Sequence, residues 1–238
     1  HTSGNEQFLD GFWACLLGGL VPVPVAVGIS DDHRQKLLQV FAQLGNPMVY
    51  TEDAQLARLR DYARESSTTA AVDALAGRSL TVERVTDISR PGEERPVSAD
   101  DIAFIQFSSG STSTPKGVVL THRNLMTNIG AIIERGRFTD RDVSLSWMPL
   151  THDMGLIGAC LGSLYYAFPL VVMSPLSFLA RPVRWLRAIH RHHGTLSAAP
   201  NFAYELCVRA IQDHELEGLD LSSWRMALNG AEPVSPTT

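Results

Sequence analysis

Apolar positions follow two periods along the 238-residue chain. Apolar residues at three- and four-residue spacing predict amphipathic helices, whereas short apolar runs between turn residues predict buried strands. The predicted helices are Glu6–Leu17, Asp31–Leu44, Ala54–Arg64, Thr121 or His122 to Arg135, Asp153–Tyr166, Pro182–His193 and Asn201–His214. The predicted strands are Leu20–Val25, Pro47–Thr51, Ile102–Phe107, Gly117–Thr121, Val143–Trp147, Leu170–Met173, Thr195–Ala198 and Trp224–Leu228. This alternation predicts an α/β fold with layered, parallel-rich sheets flanked by helices.

Two polar segments interrupt this pattern, and we expect both to be linkers. They are Ser66–Asp73 and Ser89–Asp100, of which the second is rich in Pro, Glu and Arg. The second linker predicts a division of the chain into a first α/β portion, about residues 1–100, and a second portion, about residues 101–238.

The segment Ile105–Gly117 reads IQFSSGSTSTPKG and concentrates hydroxyl residues, glycine and one lysine after an apolar strand. Backbone N–H groups and hydroxyls at such a turn can surround a polyphosphate, and Lys116 adds a cation. The alternative is an ordinary polar loop between two periodic segments. A Walker P-loop does not fit, because Pro115 precedes Lys116 and a strand follows where that motif needs a helix. The loop therefore joins two strands.

Four segments together resemble one known group of enzymes. Ser108–Gly117 is similar to the phosphate-binding signature of the adenylate-forming superfamily, although most members have glycine where this chain has Ser113. Trp147–Leu156, which reads WMPLTHDMGL, resembles the matching segment of fatty acyl-AMP ligases. Ala199–Tyr204 (APNFAY) and Asn229–Val234 (NGAEPV) resemble two further segments of that subfamily, in the same order.

The resemblance implies an activity and a place in a larger protein. It implies ATP-dependent activation of a fatty acid to an acyl-adenylate with Mg²⁺, release of pyrophosphate, and transfer to an acyl carrier protein. The alternatives are an acyl-CoA ligase, an adenylation domain for another carboxylic acid, or an inactive nucleotide-binding fragment. It also implies that residues 1–238 are part of the large N-terminal domain, without the small C-terminal domain. We therefore expect no turnover from these 238 residues alone.

The resemblance also assigns site residues. The residues implied to hold the ATP phosphates are Ser108, Ser109, Gly110, Ser111, Thr112 and Lys116. Those implied to contact adenine are Gly230, Ala231 and Glu232. Those implied to contact the acid or its adenylate are His152, Asp153, Met154, Ile157, Asn201 and Phe202. His152 and Lys116 are the implied catalytic residues, while the metal ligands stay unknown.

Four residues in and near the second segment carry open alternatives. Asp153 either caps the predicted helix or orients the His152 ring. The helix glycines Gly155, Gly158 and Gly162 either make room for an acyl chain or allow close packing against the sheet.

Composition and charge limit the function classes. A net charge of −5 gives no reason to expect a nucleic-acid partner. The three cysteines are far apart and lie in apolar stretches, which is typical of thiols in a reducing compartment, so we expect a cytoplasmic protein. Phe8–Ile29 is apolar, but Asp10, Pro22 and Pro24 interrupt it and predict no membrane span.

One predicted helix carries a basic face. Arg181, Arg184, Arg187 and Arg191 recur at three- and four-residue spacing. The face is either an ordinary solvated surface or a docking site for an acidic acyl carrier protein.

Overall fold

The computed structural model describes residues 4–26, 28, 30–45, 47–85, 89, 91–108 and 114–237. The chain forms two compact units, a first unit of residues 1–124 and a second unit of residues 125–238. The division near residue 100 that the polar linker indicates stays a prediction. Both units combine helices with strands, which confirms the predicted α/β class.

The first unit contains four helices among its described residues and two strand pairs. In chain order its elements are α1 (Asn5–Leu17), α2 (Asp31–Gln43), β1 (Val49–Thr51), α3 (Asp53–Glu65), α4 (Thr69–Gly77), β2 (Ser79–Thr81), a 3₁₀ turn (Val82–Arg84), β3 (Ile102–Ser108) and β4 (Lys116–Thr121). Strands β1 and β2 pair in parallel. Helices α2, α3 and α4 enclose a core built mainly from Leu37, Phe41, Leu56, Leu59, Val72 and Leu75.

Strands β3 and β4 form an antiparallel pair in which Ser108 lies opposite Lys116. This confirms that the predicted phosphate loop joins two strands. The loop residues 109–113 lie outside the described residues. Helix α5 (His122–Gly136) follows β4, and its start is fixed by Thr121 and Asn124. The Asn124 carboxamide oxygen accepts from the Thr121 N–H at 3.0 Å, and the Asn124 N–H donates to the Thr121 hydroxyl at 3.1 Å.

The second unit is built on a parallel sheet. After α5 its elements are β5 (Ser144–Ser146), a π-helix (Met154–Leu161), α6 (Gly162–Tyr166), β6 (Leu170–Val172), α7 (Pro175–Ala180), α8 (Val183–His192), β7 (Leu196–Ala199), α9 (Asn201–Ala210), α10 (Asp213–Leu216) and β8 (Met226–Asn229). The described strands lie in the order β6-β5-β7-β8, and every pairing is parallel. Their carboxyl ends therefore share one edge of the sheet, where open α/β sheets usually bind ligands.

Aromatic packing makes this sheet rigid. Trp147, directly after β5, stacks on Phe178 of α7 with ring centroids 4.0 Å apart. Trp185 of α8 is 1% exposed and contacts Trp147, Phe178 and Trp224 edge to face. Buried aromatic pairs of this kind stabilise a core beyond their area burial. Trp147, the first residue of the WMPLTHDMGL segment, is thus held in place by aromatic packing.

Several predicted elements differ from the structure. Leu20–Val25 is not a strand, because Pro22 and Pro24 have no N–H to donate, although the Pro22 carbonyl accepts from the Ile105 N–H at 3.1 Å. The predicted linker Ser66–Asp73 was wrong in its second half, since α4 begins at Thr69 and buries Val72. No helix of the described residues is long and apolar enough to cross a membrane.

Two predicted helices are divided. The predicted helix Asn201–His214 ends at Ala210, and a separate short helix starts at Asp213. The predicted helix Asp153–Tyr166 starts as a π-helix over Met154–Leu161 and becomes α-helical only at Gly162. Three glycines in this stretch weaken its preference for the α-helix, which allows the wider turn.

Candidate functional site

A cavity of about 560 Å³ lies in the second unit, between the parallel sheet and the π-helix. It is lined at one extreme by Ser144 and Leu196, the first residues of β5 and β7, and at the other by Gly230 and Ala231, which follow β8. Because the strands are parallel, these are opposite ends of the cavity. We call the end with His152, Asp153, Asn229, Gly230 and Ala231 the polar end. We call the end with Phe138, Phe168, Ser144 and Leu196 the aromatic end.

His152 and Asp153 lie in contact at the polar end. Nδ1 of His152 lies 2.7 Å from Oδ1 of Asp153, and the same oxygen accepts from the Met154 N–H at 2.7 Å. Nδ1 of His152 also accepts from the Met154 N–H, at 3.2 Å. With Nδ1 as an acceptor, the proton of the neutral ring is on Nε2. Asp153 therefore caps the helix and lies beside the imidazole, and Nε2 is left for a ligand.

The segment after β8 is held by the first turn of α9. Phe202 donates its backbone N–H to Oε1 of Glu232 at 2.6 Å. The side-chain oxygen of Asn201 accepts from Nδ2 of Asn229 and from the N–H of Ser235, both at 3.1 Å. A carboxylate at the positive end of a helix adds a favourable dipole interaction. These contacts fix the path of the chain from Asn229 to Ser235.

Two further features show how closely this segment is constrained. Ala231 has a φ of 69°, in the left-handed region that a residue with a Cβ rarely adopts. Tyr204 of α9 donates its hydroxyl to the Leu228 carbonyl at 2.9 Å. Burial raises the pKa of the Tyr204 phenol to about 12, so this donor stays protonated at every physiological pH. The backbone at Gly230 and Ala231 is thus presented to the cavity in one fixed conformation.

The π-helix gives the cavity a wall of small and apolar residues. Met154, Ile157, Gly158 and Ala159 all line the cavity. A Cβ added at Gly158 would meet no atom within 4 Å. A Cβ added at Gly155 would instead collide with the backbone carbonyls of Met148 and Pro149. Gly158 therefore provides space for a ligand, whereas Gly155 is required for close packing.

The two phenylalanines of the aromatic end belong to segments that connect helices to strands. The rings of Phe138 and Phe168 meet edge to face with centroids 6.1 Å apart. Phe168 is 6% exposed, and its N–H donates to the Ser163 carbonyl at 3.1 Å. Ile132 of α5 completes this end of the lining. These three apolar side chains form a surface suited to the tail of a hydrocarbon chain.

An ion pair between a buried carboxylate and a partly exposed arginine lies next to Phe138. Asp142 is 2% exposed and accepts from Nε and a terminal nitrogen of Arg225 at 2.8 and 2.7 Å. Asp142 also accepts from the Thr195 hydroxyl at 2.7 Å and from the Thr139 N–H at 2.8 Å. The hydrogen bonds from Arg225 and Thr195 hold the pKa of the Asp142 carboxyl well below its usual range. The Arg225 guanidinium carbon lies 5.8 Å from the Phe138 ring centroid.

The structure brings together six of the predicted site residues, which all line the cavity: His152, Asp153, Met154, Ile157, Gly230 and Ala231. Asn201, Phe202 and Glu232 support the segment after β8 and are not among the described lining residues. Sequence reasoning missed Phe138, Phe168, Asp142 and Arg225, because no local motif contains them.

The predicted phosphate-binding residues belong to the first unit. Ser108 and Lys116 are exposed and lie opposite each other in β3 and β4. Ser109, Gly110, Ser111 and Thr112 lie outside the described residues. Within the described ranges, no group of three or more His, Cys, Asp or Glu side chains is placed to hold a metal ion. The Mg²⁺ site thus stays unassigned.

The basic face of α8 is only partly engaged. Arg181, which precedes the helix, pairs with Glu215 at 2.8 Å. Arg184 donates to the Ser177 carbonyl at 3.3 Å. Arg187 and Arg191 are exposed, and neither forms an ion pair with another described residue. The opposite face of α8 is buried through Val183, Trp185 and Ile189.

The family profile described as AMP-binding enzyme matches residues 5–238. A medium-chain fatty acid–acyl-carrier-protein ligase, JamA of Moorena producens, is 36% identical over 236 residues, which cover 98% of this chain and 39% of JamA. A 4-hydroxyphenylalkanoate adenylyltransferase of Mycobacterium tuberculosis is 32% identical over 243 residues, which cover 98% of this chain and 38% of that protein. The chain thus spans about two fifths of the length of these relatives.

Solved structures show the same fold. The fatty acyl-adenylate ligase from L. pneumophila in complex with acyl adenylate and pyrophosphate superposes with a TM-score of 0.78 at 32% identity, covering 97% of this chain and 39% of that one. An adenylation domain of a keto acid-selecting NRPS module, bound to keto acyl adenylate, superposes with a TM-score of 0.86 at 30% identity, covering 99% and 42%. The two units therefore have the fold of a part of the N-terminal domain of adenylate-forming enzymes.

Proposed function

The chain belongs to the AMP-binding enzyme family, and from this premise we propose that the protein activates a fatty acid with ATP. A carboxylate oxygen attacks the α-phosphorus, the bond from that phosphorus to the bridging oxygen breaks, and pyrophosphate leaves. The observation that carries this proposal is the cavity itself. It combines a polar end, where a carboxylate can be held, with an apolar wall and an aromatic end that suit an alkyl chain.

His152 is the proposed contact for the reacting groups. Nδ1 accepts from the Met154 N–H, and Nε2–H can donate to a carboxylate or phosphate oxygen. Reactions at phosphorus depend on positioning and charge neutralisation rather than on covalent help from the protein. The Met154 N–H keeps the ring in one orientation, so less ordering is required when the substrate arrives.

Gly230 and Ala231 are the proposed contacts for the adenine. Gly230 has no side chain and Ala231 only a methyl group, so a planar ring can approach the backbone, and the hydrogen bonds that Asn201 and Glu232 accept hold that backbone in place. We assign Asn201 and Glu232 to positioning this segment. Phosphate binding by Ser108–Thr112 and Lys116, with Mg²⁺ as counter-ion of ATP, is part of the proposal and rests on the sequence resemblance.

The proposal is tested by fatty-acid-dependent exchange of labelled pyrophosphate into ATP, measured on the protein at its full natural length. We expect exchange with medium or long fatty acids and none with amino acids. Aryl acids and keto acids belong in the panel, because relatives and structural neighbours carry those names. Exchange confined to amino, aryl or keto acids would contradict the fatty-acid assignment.

We further propose an acyl carrier protein as the acceptor, supported by the similarity to JamA, a fatty acid–acyl-carrier-protein ligase. The sequence-based hypothesis places an acidic carrier protein on the basic face of α8, where Arg187 and Arg191 are exposed and form no ion pair with another described residue. Reversing charge at Arg187 (Arg187→Glu) is expected to slow transfer to the carrier protein and leave pyrophosphate exchange unchanged. Arg60→Glu, on the exposed side of α3, is the matched control. Transfer to CoA in place of the carrier protein would refute this acceptor.

A further inference from the structure

We propose that the ring pair Phe138–Phe168 sets the upper limit on the length of the acid, and that Arg225 is the residue that positions Phe138. This inference rests on the proposed fatty-acid activation and names the residues that select among the acids. None of the three belongs to a segment that resembles the family motifs.

The first argument is the direction of the cavity. An acid whose carboxylate is held at His152 extends along the strands. The cavity continues in that direction between the sheet and the π-helix, where Met154, Ile157 and Gly158 line it. The four residues of β7 span about 10 Å, given a rise of about 3.3 Å per residue. An alkyl chain that follows β7 back to its first residue reaches Leu196, and there it meets Phe138 and Phe168.

The second argument is that the two rings are held firmly. Phe168 is buried, and the next residue, Pro169, accepts from the first N–H of β5, Ser144, at 2.9 Å. Phe138 donates its N–H to the Ile133 carbonyl at 3.1 Å, which ties the ring to the last turn of α5. A Cβ at Gly136 would collide with the Phe138 ring, so the missing side chain at Gly136 provides the space that the ring occupies.

The third argument is the role of Arg225. Its guanidinium is fixed on Asp142 by two hydrogen bonds, and it donates to the carbonyls of Gly136 and Arg137 at 3.4 and 3.3 Å. It therefore grips the backbone on the N-terminal side of Phe138 while its charged plane lies beside the ring. Removing the guanidinium frees the turn that carries Phe138, so Arg225 acts on the acid through Phe138.

The test is the acid-length profile of pyrophosphate exchange on the protein at its full natural length, with hexanoate, octanoate, decanoate, laurate and palmitate. For Phe138→Ala we expect the ratio of exchange with an acid longer than the wild-type optimum to exchange with the optimal acid to rise about tenfold. A single methylene in an apolar pocket already discriminates by about that factor. Phe178→Leu, in the aromatic core away from the cavity, is the control and should leave the ratio unchanged.

Gly158 provides the opposite test. Gly158→Leu fills open space in the middle of the wall and is expected to shift the profile towards shorter acids. Gly130→Leu on α5, where an added Cβ is equally unobstructed and does not line the cavity, is its control. If Phe138→Ala fails to fold, the acid-length profile of Arg225→Met decides whether the ring pair limits the length of the acid.

Arg225 is tested by its conservative variant. Arg225→Met should broaden the profile towards longer acids, and Arg225→Lys should restore part of the wild-type limit, because a cation again faces Asp142. A profile that neither Phe138→Ala nor Arg225→Met alters overturns this inference, even if Gly158→Leu shifts it, while wild-type exchange with fatty acids sustains the proposed function. A wild-type protein that exchanges no fatty acid overturns both.

Discussion

The two ends of the cavity are held in different ways. The polar end is exposed, and hydrogen bonds from neighbouring backbone and side chains orient His152, Gly230 and Ala231. The aromatic end is fixed by a buried carboxylate, Asp142, which collects donors from two strand starts and one turn. An exposed hydrogen-bonded site can accept and release charged groups, whereas a buried carboxylate with several donors is costly to disturb. We infer that the polar end decides whether an acid reacts and the aromatic end decides which acid fits.

His152→Ala should separate the two ends most clearly. Loss of the imidazole removes the proposed contact to the reacting oxygen, and we expect pyrophosphate exchange to fall by about a hundredfold or more. The fall should be equal for short and long acids, since the aromatic end is untouched. His214→Ala, an exposed histidine on α10, is the control. A fall confined to acids of one length would mean that His152 also selects among acids, and the two ends would then not have separate functions.

Asp142→Asn should loosen the aromatic end and lower the free energy of unfolding. The Arg225 side chain is 38% exposed, so water partly compensates for the lost charge, and we expect the substitution to cost about 1.5 kcal/mol. The measurement is the urea midpoint followed by tryptophan fluorescence, since Trp147, Trp185 and Trp224 lie in the second unit. Thr139→Ala removes a side chain whose hydroxyl lies 3.3 Å from Asp142, and it should cost much less.

The same carboxylate predicts a dependence on pH. The pKa of Asp142 is lowered in the folded state, so its contribution is fully present above the unfolded value of about 3.9 and is lost as the pH falls towards the folded value. Wild-type stability should therefore decline below about pH 4 more steeply than that of Asp142→Asn. Parallel pH profiles for the two proteins would show that the ion pair does not hold this end.

Asn201→Ala tests how the polar end is supported. Its carboxamide oxygen joins Asn229 and Ser235, and leaving those two donors without this acceptor costs about 1–3 kcal/mol. We expect a higher KM for ATP with little change in kcat, because the segment after β8 becomes looser while His152 stays in place. Asn201→Asp keeps an acceptor oxygen and should restore most of the affinity. A change in the acid-length profile would mean that Asn201 also acts on the acid.

Elements with a regular local pattern could be predicted from the sequence. Helix α5 was predicted to within a residue, because Leu125, Ile129 and Ile133 repeat at four-residue spacing and are buried together. The parallel sheet followed from the alternation of strands and helices. The π-helix was predicted as an ordinary helix, because the spacing of apolar residues does not distinguish its wider turn from that of an α-helix.

The site residues that could be predicted from the sequence lie at the polar end of the cavity, and those that could not lie at the aromatic end. The polar-end residues His152, Asp153, Gly230 and Ala231 belong to short segments with a recognisable order, so their place could be predicted. The aromatic end depends on Asp142 and Arg225, which are 83 residues apart and meet only because β5 and β8 flank β7. Such a pair leaves no periodic or local signal in one sequence.

Tyr204→Phe makes the smallest change to this comparison and tests the polar end at a distance. The substitution removes one hydrogen bond, from the phenol to the Leu228 carbonyl, and keeps the ring in its contact with Trp185. One such bond contributes about 1 kcal/mol, so we expect about a fivefold rise in the KM for ATP. Because the pKa of Tyr204 is raised to about 12, the ratio of variant to wild-type KM should stay constant between about pH 6 and pH 9. A ratio that changes within this range would mean that Tyr204 loses its proton there. A shift in acid-length preference would mean that the support of β8 reaches the aromatic end, and the two ends would then have to be treated as one.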